Sequence, residues 1–140
     1  KDWEKFISIV RLGNIIGSPG SIYSGDSRLF PLEISRNLVF YKKASINSNP
    51  NNRVGFVAIS KLLNSKIFKN SGFFKLYSQD YMTLFSIARN ILESYERISG
   101  EVGEIVIKKF EVQPFYEPIP QNIKDEIDLL IKFFLKRINQ

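Results

Sequence analysis

Side chains able to do covalent chemistry are scarce in this sequence. Among its 140 residues there is no cysteine and no histidine. That excludes thiolate nucleophiles, disulfides, Cys-His and Ser-His-Asp arrangements, and the commonest zinc ligands. Carboxylates remain. A magnesium-dependent nuclease would place an acidic residue ahead of a Glu/Asp-x-Lys triplet on a strand, so that two carboxylates hold the metal and the lysine orients water. No such triplet occurs. The nearest approximation is Glu104 with Lys108 and Lys109; Glu104 and Lys108 share one face of a strand by period two and read as a solvated, charge-alternating face. A phosphate loop of the form Gly-x-x-x-x-Gly-Lys-Ser/Thr is also absent. The pairs Gly13/Gly17 and Gly17/Gly20 lack the lysine and the helix start that such a loop needs. The sequence therefore predicts no catalytic residue, no metal and no cofactor.

Binding chemistry is better represented. The chain holds 12 Phe, 6 Tyr and 1 Trp, and carries a net charge of +6. The charge is uneven: residues 1–77 hold 12 basic and 4 acidic residues, whereas residues 78–140 hold 8 and 10. A basic half attracts polyanions, nucleic acid above all. Aromatics and cations interleave in Phe40-Tyr41-Lys42-Lys43, Lys66-Ile67-Phe68-Lys69 and Phe73-Phe74-Lys75-Leu76-Tyr77. Lysines meet phosphates and aromatic rings stack on bases. The phosphate-binding candidates are Lys42, Lys43, Arg53, Lys69 and Lys75. The base-stacking candidates are Trp3, Tyr23, Tyr41 and Tyr77, whose amphipathic rings suit half-exposed positions. The competing reading is structural: a strand with one buried face turns Phe inward and Lys outward, as at Phe40 and Phe73.

These residues must be positioned by a backbone whose pattern changes along the chain. Trp3, Phe6, Ile7 and Val10 have helical spacing, though Ile7, Ile9 and Val10 also suit a strand. Residues 13–27 are rich in Gly and Ser and read as a loop with one short strand around Asn14–Gly17. Asn37–Ile46 and Arg53–Leu62 are rich in strand formers and flank the turn cluster Ser48–Asn52, which predicts an antiparallel hairpin. Ser71–Tyr77 is a further strand. Tyr81, Leu84, Phe85, Ala88, Ile91, Leu92, Tyr95 and Ile98 then fall at steps of three and four, predicting a helix over Gln79–Ser99 with Ser78 and Gly100 as caps. Glu104–Phe115 is a strand. A last helix over Asn122–Asn139 carries Ile123, Ile127, Leu130, Ile131 and Phe134 on one face. The expected fold is α+β: a small, twisted, mostly antiparallel sheet or partial barrel with two substantial helices. Its size fits one domain over residues 1–140, expected to be a fragment of a larger protein.

Leu38-Val39-Phe40-Tyr41, followed by Val54-Gly55-Phe56-Val57-Ala58-Ile59, resembles the central hairpin of the EVE/YTH branch of the PUA-like superfamily. The stretch Glu104–Ile119 is similar to that family's final strand, in which an aromatic precedes Glu-Pro-Ile. Ser35-Arg36-Asn37 stands where the family usually carries Gly-Asp. The resemblance implies a non-enzymatic DNA-binding specificity domain. Such a domain flips a modified base into an aromatic pocket, and it occurs at the N-terminus of McrB-type modification-dependent restriction proteins ahead of a motor domain. The implied partners are nucleic acid, DNA rather than RNA, and a downstream NTPase or nuclease in the same chain, with no membrane and a cytoplasmic location. An RNA-binding PUA-like domain and a structural or protein-interaction domain stand as alternatives.

Overall fold

The computed structural model describes residues 8–12, 14–17, 29–63, 72–76 and 81–138. In chain order these form β1 (Ser8–Leu12), β2 (Asn14–Ile16), α1 (Phe30–Tyr41), β3 (Lys43–Ile46), β4 (Arg53–Ala58), α2 (Ile59–Leu63), β5 (Gly72–Leu76), β6 (Tyr81–Thr83), α3 (Leu84–Ser99), β7 (Glu104–Ile107) and α4 (Gln121–Ile138). β1 pairs with β5, β2 with β4, and β3 with β7, all parallel; β6 adds to β4 antiparallel, with Arg53 opposite Thr83 and Gly55 opposite Tyr81. Parallel partners need long crossovers, usually helical. Here α1 lies between β2 and β4 in the chain, and α3 between β3 and β7. The architecture is α/β.

The core lies where α1, α3 and α4 pack on one another and on the strands. Most positions expected on the apolar stripes of the two long helices are buried, among them Leu84, Ala88, Ile91, Leu92, Ile127, Leu130, Ile131 and Phe134; Phe85 and Ile98 are partly buried and Tyr81 is exposed. That is the outcome of a three-to-four-residue apolar period. α3 ends where the pattern places it, at Gly100, whose φ of +74° is the left-handed conformation glycine adopts without strain. Gly103 is required for a different reason. A Cβ there would stand 2.8 Å from Leu92 Cδ1 and 3.1 Å from Leu38 Cδ2 and Tyr95 Cδ1, so the chain leaving α3 passes directly over the core. The buried Glu126 of α4 accepts a hydrogen bond from Ser60 N (3.0 Å) and satisfies an orphan donor in the first turn of α2.

The structure corrects the expected antiparallel, barrel-like fold. Residues 37–41 belong to α1, and only Lys43–Ile46 of the expected first hairpin strand is β. β3 pairs with β7 and β4 with β2 and β6, so the predicted hairpin pairing does not form. The strand formers Leu38 and Val39 are helical because they share one buried helical face with Ile34, and Pro31 in the first turn starts the helix. The Asn-rich segment is a turn, closed by Asn51 N to Asn49 Oδ1 (3.0 Å) and Asn52 N to Asn49 O (3.0 Å). Residues 81–83 are strand β6 rather than the start of the long helix, and Thr83 is the N-cap. Of the expected strand Glu104–Phe115, only Glu104–Ile107 is β. Residues 8–12 are strand, the second of the two readings open for that segment. Ser78 lies outside the described residues.

Candidate functional site

Of the expected phosphate-binding and stacking residues, the structure describes the side chains of Tyr41, Lys42, Lys43 and Arg53. Lys42 caps α1 in a left-handed conformation, and its Nζ is 2.5 Å from Glu101 Oε2. The hydrogen bond to that carboxylate, then its charge, holds the Lys42 amine above the usual lysine range. Lys43 is 2.9 Å from Glu104 across the β3–β7 ladder. Both are exposed pairs of little energetic weight, but they neutralise the positive stripe read from Lys42-Lys43. Tyr41 is 74% exposed at the end of α1. Lys75 lies in β5, where its backbone pairs with Arg11. Trp3, Tyr23, Lys69 and Tyr77 lie outside the described residues.

Arg53 sits differently. It opens β4, and the register places it on one sheet face with Gly55 and with the opposing residues Tyr81 and Thr83. The other face, with Phe56, Ala58 and Met82, is core. Gly55 has no side chain, and Tyr81 opposite it is exposed. Arg53 Nη2 donates to Tyr81 O (2.7 Å) and lies 3.2 Å from Glu117 Oε2. Among the described residues nothing engages its Nη1 or Nε. A guanidinium held by one nitrogen keeps the rest of its donor fork for a bidentate anion. Asn14, two residues beyond the carboxyl end of β1, donates from Nδ2 to Gly55 O (3.4 Å). Asn14 is also the first residue of β2 and Arg53 the first of β4, so this surface lies at the starts of those two parallel strands, directly after β1.

The segment 113–117 is tied down beside it. Thr83 N donates to Glu117 Oε1 (2.9 Å), Thr83 Oγ1 to Phe115 O (2.8 Å), and Glu117 N to Ser86 Oγ (2.8 Å). Asn51 bridges the same segment, donating to Gln113 O (3.1 Å) and accepting from Phe115 N (2.7 Å). Of these groups the sequence singled out only Arg53. Asn14, Tyr81 and Glu117 are separated from it by 28 residues or more and meet only through sheet register. The one local signal was Arg53-Val54-Gly55, a cation followed at strand spacing by a missing side chain.

Depressions occur elsewhere among the described residues. A cleft of about 210 Å³ between α3 and α4 is lined by Asn90, Glu93, Ser94, Arg97, Lys124 and Asp128. Asp128 forms part of its wall, accepting from Ser94 Oγ (2.5 Å) and Arg97 Nη2 (2.6 Å). A groove of about 400 Å³ lies at the C-terminal ends of α1, α3 and α4, walled by Val39, Ile98, Leu135 and Ile138, with the Lys42–Glu101 pair at its lining.

No protein-family model and no curated protein matches the sequence. Solved structures do match. UDP-glucose 4-epimerase of Thermotoga maritima superposes with a TM-score of 0.63 at 12% identity, covering 92% of this chain and 46% of the epimerase. An NAD-dependent NDP-hexosamine 5,6-dehydratase of tunicamycin biosynthesis gives 0.60 at 12%, covering 93% and 46%. ADP-L-glycero-D-manno-heptose-6-epimerase of Helicobacter pylori gives 0.55 at 19%, covering 93% and 43%. The chain thus spans just under half the length of these structures. The PUA-like resemblance is corrected by these matches and by the parallel ladders. With it fall the modified-base-reading role, the McrB-type context with its motor domain, the nucleic-acid partner and the non-enzymatic assignment, since the neighbours are epimerases and dehydratases. The chain has the Rossmann-like α/β fold seen in one portion of sugar-nucleotide epimerases and dehydratases.

Proposed function

We propose that this chain is the sugar-nucleotide-facing portion of an enzyme that modifies a sugar carried on a nucleoside diphosphate. The observation that carries the reading is the fold match over more than nine-tenths of the chain to proteins whose names specify UDP-glucose, an NDP-hexosamine and an ADP-heptose. These share a diphosphate, and Arg53 presents a half-free guanidinium fork of the kind that grips one. Tyr81 and Asn14 supply an aromatic face and an amide beside it. On this reading Arg53 keeps the phosphate-binding role expected for it, with a diphosphate in place of a nucleic-acid backbone.

A dinucleotide cofactor does not fit these residues. Its pyrophosphate needs Gly-x-Gly-x-x-Gly in a strand-to-helix turn. Here the glycines between β2 and α1 are Gly17, Gly20 and Gly25, at the wrong spacing. Gly17 serves packing instead: a Cβ there would stand 2.6 Å from Ile59 Cγ2. β4 runs into α2, and β6 into α3, with no glycine at the junction. We assign the chain no cofactor step. If the reaction uses a dinucleotide, other polypeptide holds it. Residues 1–140 remain one domain on this proposal, and the expected cytoplasmic location stays with it; none of the described helices is long and apolar enough to cross a membrane.

The test is thermal unfolding of the chain with UDP-glucose, UDP-N-acetylglucosamine, ADP-glucose and GDP-mannose, beside NADH and a DNA duplex. At a hundredfold excess over Kd a sugar nucleotide should stabilise by about 2.7 kcal/mol, whereas NADH and duplex leave the transition unmoved. Stabilisation by duplex alone, or by nothing in the panel, rejects the reading.

A further inference from the structure

We infer that Glu117 is a positioning residue for diphosphate binding, acting through Arg53; this rests on the reading of Arg53 as the diphosphate anchor. Glu117 divides its carboxylate. Oε1 accepts the Thr83 amide (2.9 Å), in the residue that caps α3, and Oε2 faces Arg53 Nη2 (3.2 Å). Its side chain is only 19% exposed against 54% for Arg53, so the acid is the fixed member of the pair and the base the member that reaches solvent. Tyr81 O, 2.7 Å from the same Nη2, is the second fixed acceptor. The hydrogen bond to Tyr81 O and the ion pair with Glu117, both at Nη2, restrain the guanidinium. An arginine side chain is rich in rotamers, and restraining it before the ligand arrives lowers what binding must spend on ordering.

The arrangement also distinguishes positioning from support. Glu117 N bonds Ser86 Oγ, and Phe115 O accepts from Thr83 Oγ1, so the backbone of 115–117 stays anchored when the carboxylate is altered. Glu117→Gln keeps an oxygen for the Thr83 amide and loses only the charged acceptor for Arg53.

The experiment is a calorimetric double-mutant cycle of wild type, Glu117→Gln, Arg53→Ala and the double variant. The ligand is the tightest of UDP-glucose, UDP-N-acetylglucosamine, ADP-glucose and GDP-mannose, and Tm is recorded for each protein. Glu117→Gln should weaken binding about threefold to fivefold, the scale of a partly exposed ion pair, with little change in Tm. In the Arg53→Ala background the same change should have no further effect, and Glu117→Asp should restore part of the affinity. Equal weakening in both backgrounds, tracking a fall in Tm, would show a structural role and overturn the inference. Tighter binding by Glu117→Gln would overturn it too, because the carboxylate would then merely repel the anion. If Arg53→Ala binds like wild type, the anchor assignment fails and the inference with it. If wild type binds none of the four, the proposed function itself fails.

Discussion

Thr83 ties the stability of the fold to the shape of the site, and replacing it tests both. Its Oγ1 accepts the Ser86 amide (3.1 Å) as the N-cap of α3, meets Ser86 Oγ (2.7 Å) and donates to Phe115 O (2.8 Å), all at a position only 2% exposed. Thr83→Ala removes the cap, costing about 1 kcal/mol, and leaves a shielded carbonyl without its donor, costing about 1–3 kcal/mol. The total is about 2–4 kcal/mol, or roughly 8–15 °C in Tm for a chain of this size. Thr83→Ser keeps the oxygen and loses one methyl, about 0.8 kcal/mol. Chemical denaturation of the three proteins gives the stabilities, and hydrogen exchange over residues 113–117 gives the local consequence. Exchange there should quicken in the alanine variant and not in the serine variant. If serine is as damaging as alanine, the methyl and not the hydroxyl matters, and the network reasoning is refuted.

Leu130 is fully buried in α4, and Leu130→Ala should cost about 2–5 kcal/mol in urea unfolding; a loss under about 0.5 kcal/mol would show that α4 does not build the core. Ser35 is fully buried in α1 and its hydroxyl has no partner among the described residues, so Ser35→Ala should leave stability unchanged or raise it by about 1 kcal/mol. A clear loss would reveal a hydrogen bond that this packing does not contain. Burial alone would raise the pKa of Asp128, but hydrogen bonds from Ser94 and Arg97, with the charges of Arg97 and Lys132, hold it below the ordinary carboxylate value. A carboxyl depressed on folding adds stability above its unfolded pKa and loses it as pH falls through the folded one. Wild type should therefore exceed Asp128→Asn in stability at pH 6, and the gap should close below about pH 4. A gap that persists to pH 2 would contradict the assignment.

The helices α3 and α4 were legible because an amphipathic period over four or more turns is a local signal that packing reinforces. α3 was over-extended at its start because Tyr81, Met82 and Thr83 continue the apolar pattern while pairing with Val54 and its neighbours in β4. α1 was missed because Leu38-Val39-Phe40-Tyr41 is made largely of residues with high strand propensity. Their helical state is set by tertiary burial of Ile34, Leu38 and Val39 and by the start at Pro31. Sheet topology was not legible at all. Lys43–Ile46 and Arg53–Ala58 flank a genuine turn, and nothing local says that their partners lie at Glu104–Ile107, Asn14–Ile16 and Tyr81–Thr83. The site suffered for the same reason. Arg53 was visible as a cation on a strand, but Asn14, Tyr81 and Glu117 become its neighbours only through that pairing, and Lys42 and Lys43 lose their apparent freedom only once Glu101 and Glu104 are brought beside them.

Amide and side-chain chemical-shift mapping of the ¹⁵N-labelled chain titrated with UDP-glucose or ADP-glucose tests the central claim most directly. Saturable shifts concentrated at Asn14, Arg53 Nε, Gly55 and Tyr81, with Lys42 and Lys43 unmoved, are the predicted result. Shifts that gather at Lys42–Lys43, that appear only on adding a DNA duplex, or that never saturate would contradict the sugar-nucleotide account.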